Sequence, residues 1–237
     1  MKNVLKLVLF CFISMQINAQ KVIEKKLRTS ADLVKVEFKF ADNIVIKTWD
    51  KKDIYLKASV DINDGEFNEY FSLEIKNTSS VLDISSSYGE LFDKWKKERK
   101  DKSEKNWSPC NNLDINAEYT LFLPKSSTLR VKSISGNVES QSYHGELVVD
   151  IISGNIDIKD YNGDMNLKTI SGDIDINVSR SRIKAETMSG MIYSDKNMQF
   201  DHNKNRIAGS KVTGTFGDIR SELHLQTISG SIFLRKQ

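Results

Sequence analysis

The clearest pattern in the chain is an alternation of hydrophobic and polar residues that recurs at a fixed interval in its second half. Segments such as 155–159 and 173–177 place isoleucine at every second position, which is typical of a strand with one buried face. An Ile-Ser-Gly or Met-Ser-Gly triplet recurs, and its glycines are Gly136, Gly154, Gly172, Gly190 and Gly230. The first four glycines follow one another at a constant 18-residue step, and only the last step, from 190 to 230, is longer. We predict structural repeats of this length anchored on these five glycines.

Each repeat contains two short strands and two turns. Gly145 and Gly163 lie midway between successive anchor glycines, and glycine suits turns because it adopts positive φ without steric cost. Short, evenly spaced strands also occur in antiparallel sandwiches. A constant register instead favours parallel stacking, in which each residue lies over its counterpart one coil away. The pattern therefore predicts an all-β fold, a parallel β-helix (β-solenoid) with 18-residue coils.

The first half of the chain also alternates, but less regularly, as in 33–40, 43–47 and 53–57. An open solenoid end exposes unpaired strand edges, so we expect these residues to form diverged coils and capping strands. The predicted organisation is a signal peptide at 1–19, irregular coils and a cap at 20–125, and regular repeats at 126–237. The cap carries a charged insert at 93–107. An insertion at 195–216, which contains a degraded Ile-Ala-Gly triplet at 207–209, predicts a sixth, irregular coil with a projecting loop.

The first residues have the pattern of an export signal. Lys2 and Lys6 precede a short apolar run at 7–13, and Ala19 offers a small residue at the cleavage point. The apolar run is well below the roughly 20 residues that cross a bilayer, so no transmembrane span is predicted. We expect export to the periplasm or surface of a bacterium.

Charge and cysteine content narrow the function further. The chain has 35 Lys and Arg against 32 Asp and Glu, and loss of the two lysines in 1–19 leaves 33 against 32, a net charge of +1. This balance excludes a strongly basic nucleic-acid-binding protein. Cys11 lies inside the export signal, which leaves Cys110 alone. The exported chain therefore has no intramolecular disulfide.

The charged insert allows two interpretations. Residues 93–105 hold seven basic and four acidic side chains, with Trp95 inside and Trp107 just beyond. Basic charge beside aromatic anchors is typical of a contact with a polyanion or a lipid headgroup. Mixed charges that largely cancel are typical of a solvated loop. The four acids favour the solvated loop.

No catalytic constellation is recognisable, and we predict neither an enzyme nor a cofactor. His144, His202 and His224 are widely separated in the chain, and none has a second histidine or a cysteine at the spacing of a zinc site. The pattern of a catalytic triad is not recognisable around them either. No nucleophile-elbow, zincin or Walker motif is present.

One row of carboxylates remains as a candidate cation site. Glu139, Asp157 and Asp175 recur at the same 18-residue step, so stacked coils place them on one outer face. Hard cations such as calcium take several carboxylate oxygens. Nearby lysines, such as Lys159 and Lys168, dilute the acidic field, which favours a solvated outer face without metal.

The repeat is similar to a known protein family. The Leu-Pro entry at 123–124, the first Ile-Ser-Gly at 134–136, and the Ser-Gly-Asn-Ile and Ser-Gly-Asp-Ile motifs that follow resemble bacterial adhesin-like families of unknown function, also described as head GIN domain proteins. The resemblance spans roughly residues 30–237 and implies export and a right-handed parallel β-helix. It offers no catalytic residues, and the charged segment at 93–105 departs from it.

These observations favour an exported, non-enzymatic interaction module with an envelope or surface partner, either a protein or a glycan. Two alternatives stay open. One is a small calcium-assisted enzyme acting on polysaccharides through the Asp157/Asp175 face. The other is a self-assembling structural element, because open solenoid ends invite edge pairing.

Overall fold

The computed structural model of the chain describes residues 20–103, 113–195, 200–202 and 209–236. The predicted export signal at 1–19, Trp107 and Cys110 lie outside the described residues. The helical elements are a 3-10 turn at Asn68–Tyr70 and helix α1 at Leu91–Ser103. The strands, in chain order, are β1 (Lys21–Leu27), β2 (Leu33–Trp49), β3 (Ile54–Ile62), β4 (Ser72–Asn77), β5 (Val81–Ser87), β6 (Ile115–Pro124), β7 (Thr128–Ser140), β8 (Tyr143–His144), β9 (Leu147–Ser153), β10 (Ile156–Ile158), β11 (Tyr161–Asn162), β12 (Met165–Ser171), β13 (Ile174–Val178), β14 (Ser181–Ser189), β15 (Ile192–Ser194), β16 (Phe200–His202), β17 (Ser210–Phe216), β18 (Ser221–Ser229) and β19 (Ile232–Lys236).

The middle of the molecule is a parallel stack with the predicted register. On one face β7, β9 and β12 pair in parallel, so that Leu129, Leu147 and Met165 lie in line at the predicted 18-residue step. On the other face the second half of β7 pairs with β10, and β10 pairs with β13, at the same step. The short strands β8 and β11 pair at the corner between them. The fold is therefore all-β with in-register parallel coils.

The order of the coils in space differs from their order in the chain. Strand β18 pairs in parallel with β12 on one side and with β14 on the other. Strand β19 likewise lies between β13 and β15. Residues 221–236, which we call the intercalated coil, thus lie between the coil of residues 165–178 and that of residues 181–194. Its Leu225 is 1% exposed and is flanked by Leu167 and Ala185.

The insertion at 195–216 does not form a sixth parallel coil, so this prediction is wrong. Strand β17 runs antiparallel to β14, with Ala185 opposite Val212, and β16 runs antiparallel to β17. Ile207 and Ala208 of the degraded triplet lie outside the described residues. The chain doubles back at this end, and the backbone groups on the outer edge of β14 are paired.

The first half combines parallel coils with antiparallel covering strands. The 17-residue strand β2 pairs in parallel with β7. The register shifts between Phe40 and Asn43, so the two halves of β2 belong to different faces of the stack. Strands β5 and β6 extend the two faces in parallel beyond β2. Strands β4, β3 and β1 then pair antiparallel outside them. The sheet is therefore mixed, which differs from a purely parallel β-helix. Antiparallel strands cover both faces at this end and the β14 face at the other.

The charged insert is helical over 91–103, not the loop that the sequence suggested. Leu91 is fully buried, and Trp95, one turn later, is partly buried against the core. Phe92 lies 5.8 Å from the ring of Phe40, measured between centroids. Apolar side chains one turn apart are enough to hold a short helix on the sheet, even when its other positions are charged. No helix in the described part of the chain is long and apolar enough to span a bilayer.

The core runs the length of the stack between the two faces and includes a column of buried threonines. Thr169, Thr187 and Thr227 are completely buried. Each hydroxyl donates a hydrogen bond to the carbonyl of an anchor glycine, at 2.9–3.0 Å. Buried polar groups require such partners, so the threonines tie the strands to the glycine corner.

Candidate interaction surface

The five anchor glycines stack at one corner of the coils. In spatial order the column is Ala41, Gly136, Gly154, Gly172, Gly230 and Gly190. Gly172 has a φ of 150°, and a Cβ on it would lie 2.0 Å from the carbonyl oxygen of Gly154. Only a residue without a side chain permits this approach. The column therefore allows the chain to bend sharply while neighbouring coils remain closely stacked.

A row of exposed aliphatic side chains lies beside this corner, and we call it the aliphatic ridge. Its members precede each Ser-Gly pair, and neighbouring residues on the same strands are paired in register. Their exposed fractions in spatial order are Ile134 44%, Ile152 50%, Ile170 39%, Ile228 37% and Met188 59%. At about 4.8 Å between coils, five members form a ridge about 19 Å long. A contiguous apolar row of this kind on an exposed surface is a candidate interaction site.

Both ends of the ridge are defined. At one end Lys39 lies between Phe38 and Phe40, which pair with the residues flanking Ile134. At the other end Gly209 approaches Met188, and a Cβ on Gly209 would lie 2.9 Å from the Cα of Met188. The apolar row therefore ends at the charged Lys39 on one side and at Gly209, which has no side chain, on the other.

Polar columns flank the ridge on both sides. The column nearer the corner is serine in all five coils: Ser135, Ser153, Ser171, Ser229 and Ser189. Two positions before each ridge residue the charges vary from coil to coil: Lys132, Asp150, Lys168, Gln226 and Glu186. The ridge is thus an apolar strip set in a polar surround, which is the anatomy of many protein interfaces. The sequence analysis treated these isoleucines only as repeat markers, although their constant position before Ser-Gly indicated a ladder.

The predicted carboxylate row is present, and two of its three carboxylates are paired with basic side chains. Glu139, Asp157 and Asp175 pair in register on successive coils. The ammonium nitrogen of Lys159 lies 2.7 Å from Oδ1 of Asp157. Asp175 accepts hydrogen bonds from Nε and Nη2 of Arg235. These hydrogen bonds raise the pKa of Arg235 above its ordinary value. Within the described ranges, no group of three potential ligands could hold a metal ion.

Beyond Asp175 the row becomes aromatic. Phe233 and Tyr193 occupy the next two coils, and their rings stack with centroids 5.1 Å apart and planes 7° from parallel. The guanidinium carbon of Arg235 lies 5.6 Å from the centroid of Phe233. Because Arg235 belongs to the intercalated coil, its pairing with Asp175 depends on a coil order that spacing alone does not reveal.

The two histidines whose side chains the structure describes lie apart from each other. His144 lies at the corner in β8, with Nε2 3.9 Å from Oδ2 of Asp160. His224 points outward from β18. The side chain of His202 lies outside the described residues. Of the two described histidines, one therefore lies at the corner and the other on the outer face of the sheet.

Comparison with known proteins supports the repeat and the fold. The Toastrack family model, DUF4097, matches residues 123–234. A search of curated proteins found no match.

Two solved structures resemble the chain. A candidate cell adhesion protein from Clostridium sporogenes is 13% identical, with a TM-score of 0.56 over 92% of this chain and 100% of that one. A candidate adhesin from Bacteroides fragilis is 12% identical, with a TM-score of 0.36 over 90% of this chain and 96% of that one. The first value shows a shared fold, and the second is too low to support a fold assignment. The head GIN resemblance stays a prediction, and the chain is similar to adhesin-like proteins of unknown function, with residues 123–234 similar to the Toastrack model.

Proposed function

We propose that the protein is an exported, non-enzymatic interaction module that binds a protein partner in the cell envelope through the aliphatic ridge. The observation that carries the proposal is the in-register row of five exposed aliphatic side chains on a stacked scaffold. Aliphatic side chains gain free energy by packing against apolar protein groups. Sugar rings instead favour aromatic platforms with polar neighbours, so the ridge favours a protein over a glycan.

The size of the ridge favours an extended segment as the bound element. A strip about 19 Å long and one side chain wide is smaller than the roughly 800 Å² per partner of a stable dimer. A single apolar strand, or one face of a short helix, would cover a strip of this size. A second copy of this chain would need further contacts beyond the ridge.

Export and the finer architecture belong to the same proposal. The n-region, apolar run and small residue of 1–19 support delivery to the periplasm or cell surface. The 18-residue parallel register and the Toastrack match support a β-solenoid. A right-handed winding is the expected chirality of parallel crossover connections. Domain bounds at 20–125 and 126–237 and the structural role of the five anchor glycines are part of this proposal.

The experiment measures retention of the purified, fluorescently labelled protein on envelope fractions. The test variant is the double substitution Ile152→Ser with Ile170→Ser, which removes the centre of the ridge without touching the core. The matched control is Asn166→Ser with Lys184→Ser, on the same outer face but off the ridge. We expect saturable retention, a loss of about tenfold or more for the ridge variant, and wild-type retention for the control.

Treatment of the envelope distinguishes the partner class. Proteolysis of the fractions before binding should abolish retention, whereas enzymatic removal of glycans should leave it intact. Equal retention of the ridge variant and wild type contradicts the proposal. Retention that survives proteolysis but is lost with the glycans contradicts the protein partner. A concentration series by sedimentation shows whether the ridge instead mediates self-association.

A further inference from the structure

A second surface feature lies at another corner of the stack, away from the aliphatic ridge. A cavity of about 260 Å³ opens where the intercalated coil begins. Its lining includes His144, Asp160, Asn162, Arg180, Arg220 and Ser221. The volume is close to the lower end of small-molecule sites and suits a group the size of one sugar residue.

Four of the lining residues form a single column. His144, Asn162, Arg220 and Arg180 each lie three positions before the first core residue of their coil, and those core residues are in register. The backbone follows the same order, because the Arg220 amide donates to the Arg180 carbonyl at 2.8 Å. Coil intercalation therefore brings two arginines that are distant in the chain onto adjacent rungs of the stack.

These two guanidiniums differ from two neighbouring ones, each of which is paired with a carboxylate. Arg182, two residues on, donates to Glu222 at 3.0 Å across the same pair of strands. Arg235 is held by Asp175. Within the described part of the chain, neither Arg180 nor Arg220 forms an ion pair. Like charges on adjacent rungs repel, so this pair is destabilising unless an anion joins it.

The rest of the cavity is polar and already organised. The Tyr161 hydroxyl is 2.6 Å from the Ser181 hydroxyl and donates to the Ser179 carbonyl at 3.0 Å. Asp160 accepts a hydrogen bond from Ser142 at 2.9 Å. Against the two guanidiniums, this single lining carboxylate leaves one net positive charge. Asn162 is exposed and offers amide groups to a neutral polar part of a ligand.

We propose that this cavity binds the oxyanion of an acidic sugar, with Arg180 and Arg220 as paired donors to one carboxylate or phosphate group. The planar guanidinium fork matches both groups, so a uronic acid and a sugar phosphate present the same chemistry. Asn162 contacts the hydroxyl groups of the ring. This site does not depend on the ridge or on the proposed protein partner.

The test is a chemical-shift titration of the ¹⁵N-labelled protein with four probes: glucuronate, glucose 6-phosphate, inorganic phosphate and glucose. We expect saturable shifts around 160–163 and 218–222 with at least one anionic sugar. Glucose alone should leave these signals unchanged. Arg220→Gln and Arg180→Gln should each weaken binding about tenfold, the loss of one charge-assisted hydrogen bond, and Arg182→Gln should match wild type within about twofold.

The probes also separate the sources of the anion. Tighter binding of glucuronate than of glucose 6-phosphate assigns the site to carboxylated sugars, and the reverse assigns it to sugar phosphates. Binding of inorganic phosphate as tight as that of both sugars overturns the sugar part of the proposal. The anion site itself is overturned by an absence of saturable shifts with every anionic probe, or by equal affinity in wild type and both arginine variants. Wild-type amide spectra of the variants away from the corner control for folding.

Discussion

Replacing Gly172 with alanine tests whether the glycine column sets the distance between coils. The added Cβ would lie 2.0 Å from the carbonyl oxygen and 2.6 Å from the carbonyl carbon of Gly154, both backbone atoms that no side-chain rotation can move. The same alanine would have to adopt a φ near 150°, a region essentially limited to glycine. Either the two coils separate or the corner changes conformation.

Two costs add in this variant. The unfavourable backbone conformation contributes about 1–3 kcal/mol. Overpacking against backbone contributes about 1–3 kcal/mol more. Coil separation would also lengthen the hydrogen bond from Gly172 N to Ser229 O, now 3.0 Å. We expect Gly172→Ala to lower the free energy of unfolding by about 4 kcal/mol.

The assay is urea-induced unfolding followed by circular dichroism, with Gly89→Ala as the matched control. Gly89 also has positive φ, at 48°, but a Cβ there would meet only the Tyr70 carbonyl oxygen at 3.7 Å. It therefore reports the backbone cost without the clash, about 1 kcal/mol. A loss for Gly172→Ala within about 1 kcal/mol of the control value would refute close coil approach as the reason for glycine.

Two further predictions concern single interactions. Lys26 donates a hydrogen bond to Asp53 and, with Arg28, lowers the pKa of that carboxyl below its ordinary value of 3.8. The ionised carboxyl therefore stabilises the folded state fully above pH 3.8, and this stabilisation is lost as the pH falls below that value. Asp53→Asn should therefore be less stable than wild type at about pH 6, with the difference shrinking by about pH 3, and a pH-independent difference in urea midpoint would contradict this. Thr227→Val keeps the side-chain shape but removes the hydrogen bond to the Gly172 carbonyl, so it should cost about 1–2 kcal/mol in urea unfolding. The exposed Thr215→Val is its control, and equal stability of the two variants would contradict the role of the threonine column.

The local architecture of the repeat was predictable because its signals are redundant. Alternation fixes which side chains face inward, and Val138, Ile156, Ile174 and Ile232 are all fully buried as the pattern requires. The fixed 18-residue step gives the parallel register directly. Glycine is required at the anchor corner because neighbouring coils touch there, so an anchor glycine recurs in each coil.

The order of the coils was not predictable for the same reason. Several ladder positions are identical from coil to coil. Thr169 would find the same side chain in Thr227 or in Thr187, so like-on-like pairing there does not distinguish the arrangements. The site residues that depend on this order, Arg220 beside Arg180 and Arg235 beside Asp175, were missed with it. Helix α1 was missed because only Leu91, Phe92 and Trp95 interrupt its charges, too few for a helical hydrophobic pattern.

The intercalated coil has a consequence for how the molecule assembles. In a simple repeat stack each new coil docks on the preceding one, and folding can advance along the chain as it becomes available. Here residues 181–194 cannot reach their final neighbours until residues 221–236 have entered between them and residues 165–178. Leu223 must meet both Met165 and Ile183, and long loop closures of this kind slow folding. We therefore expect the insertion of residues 221–236 to limit the folding rate, because these residues complete both faces of the stack.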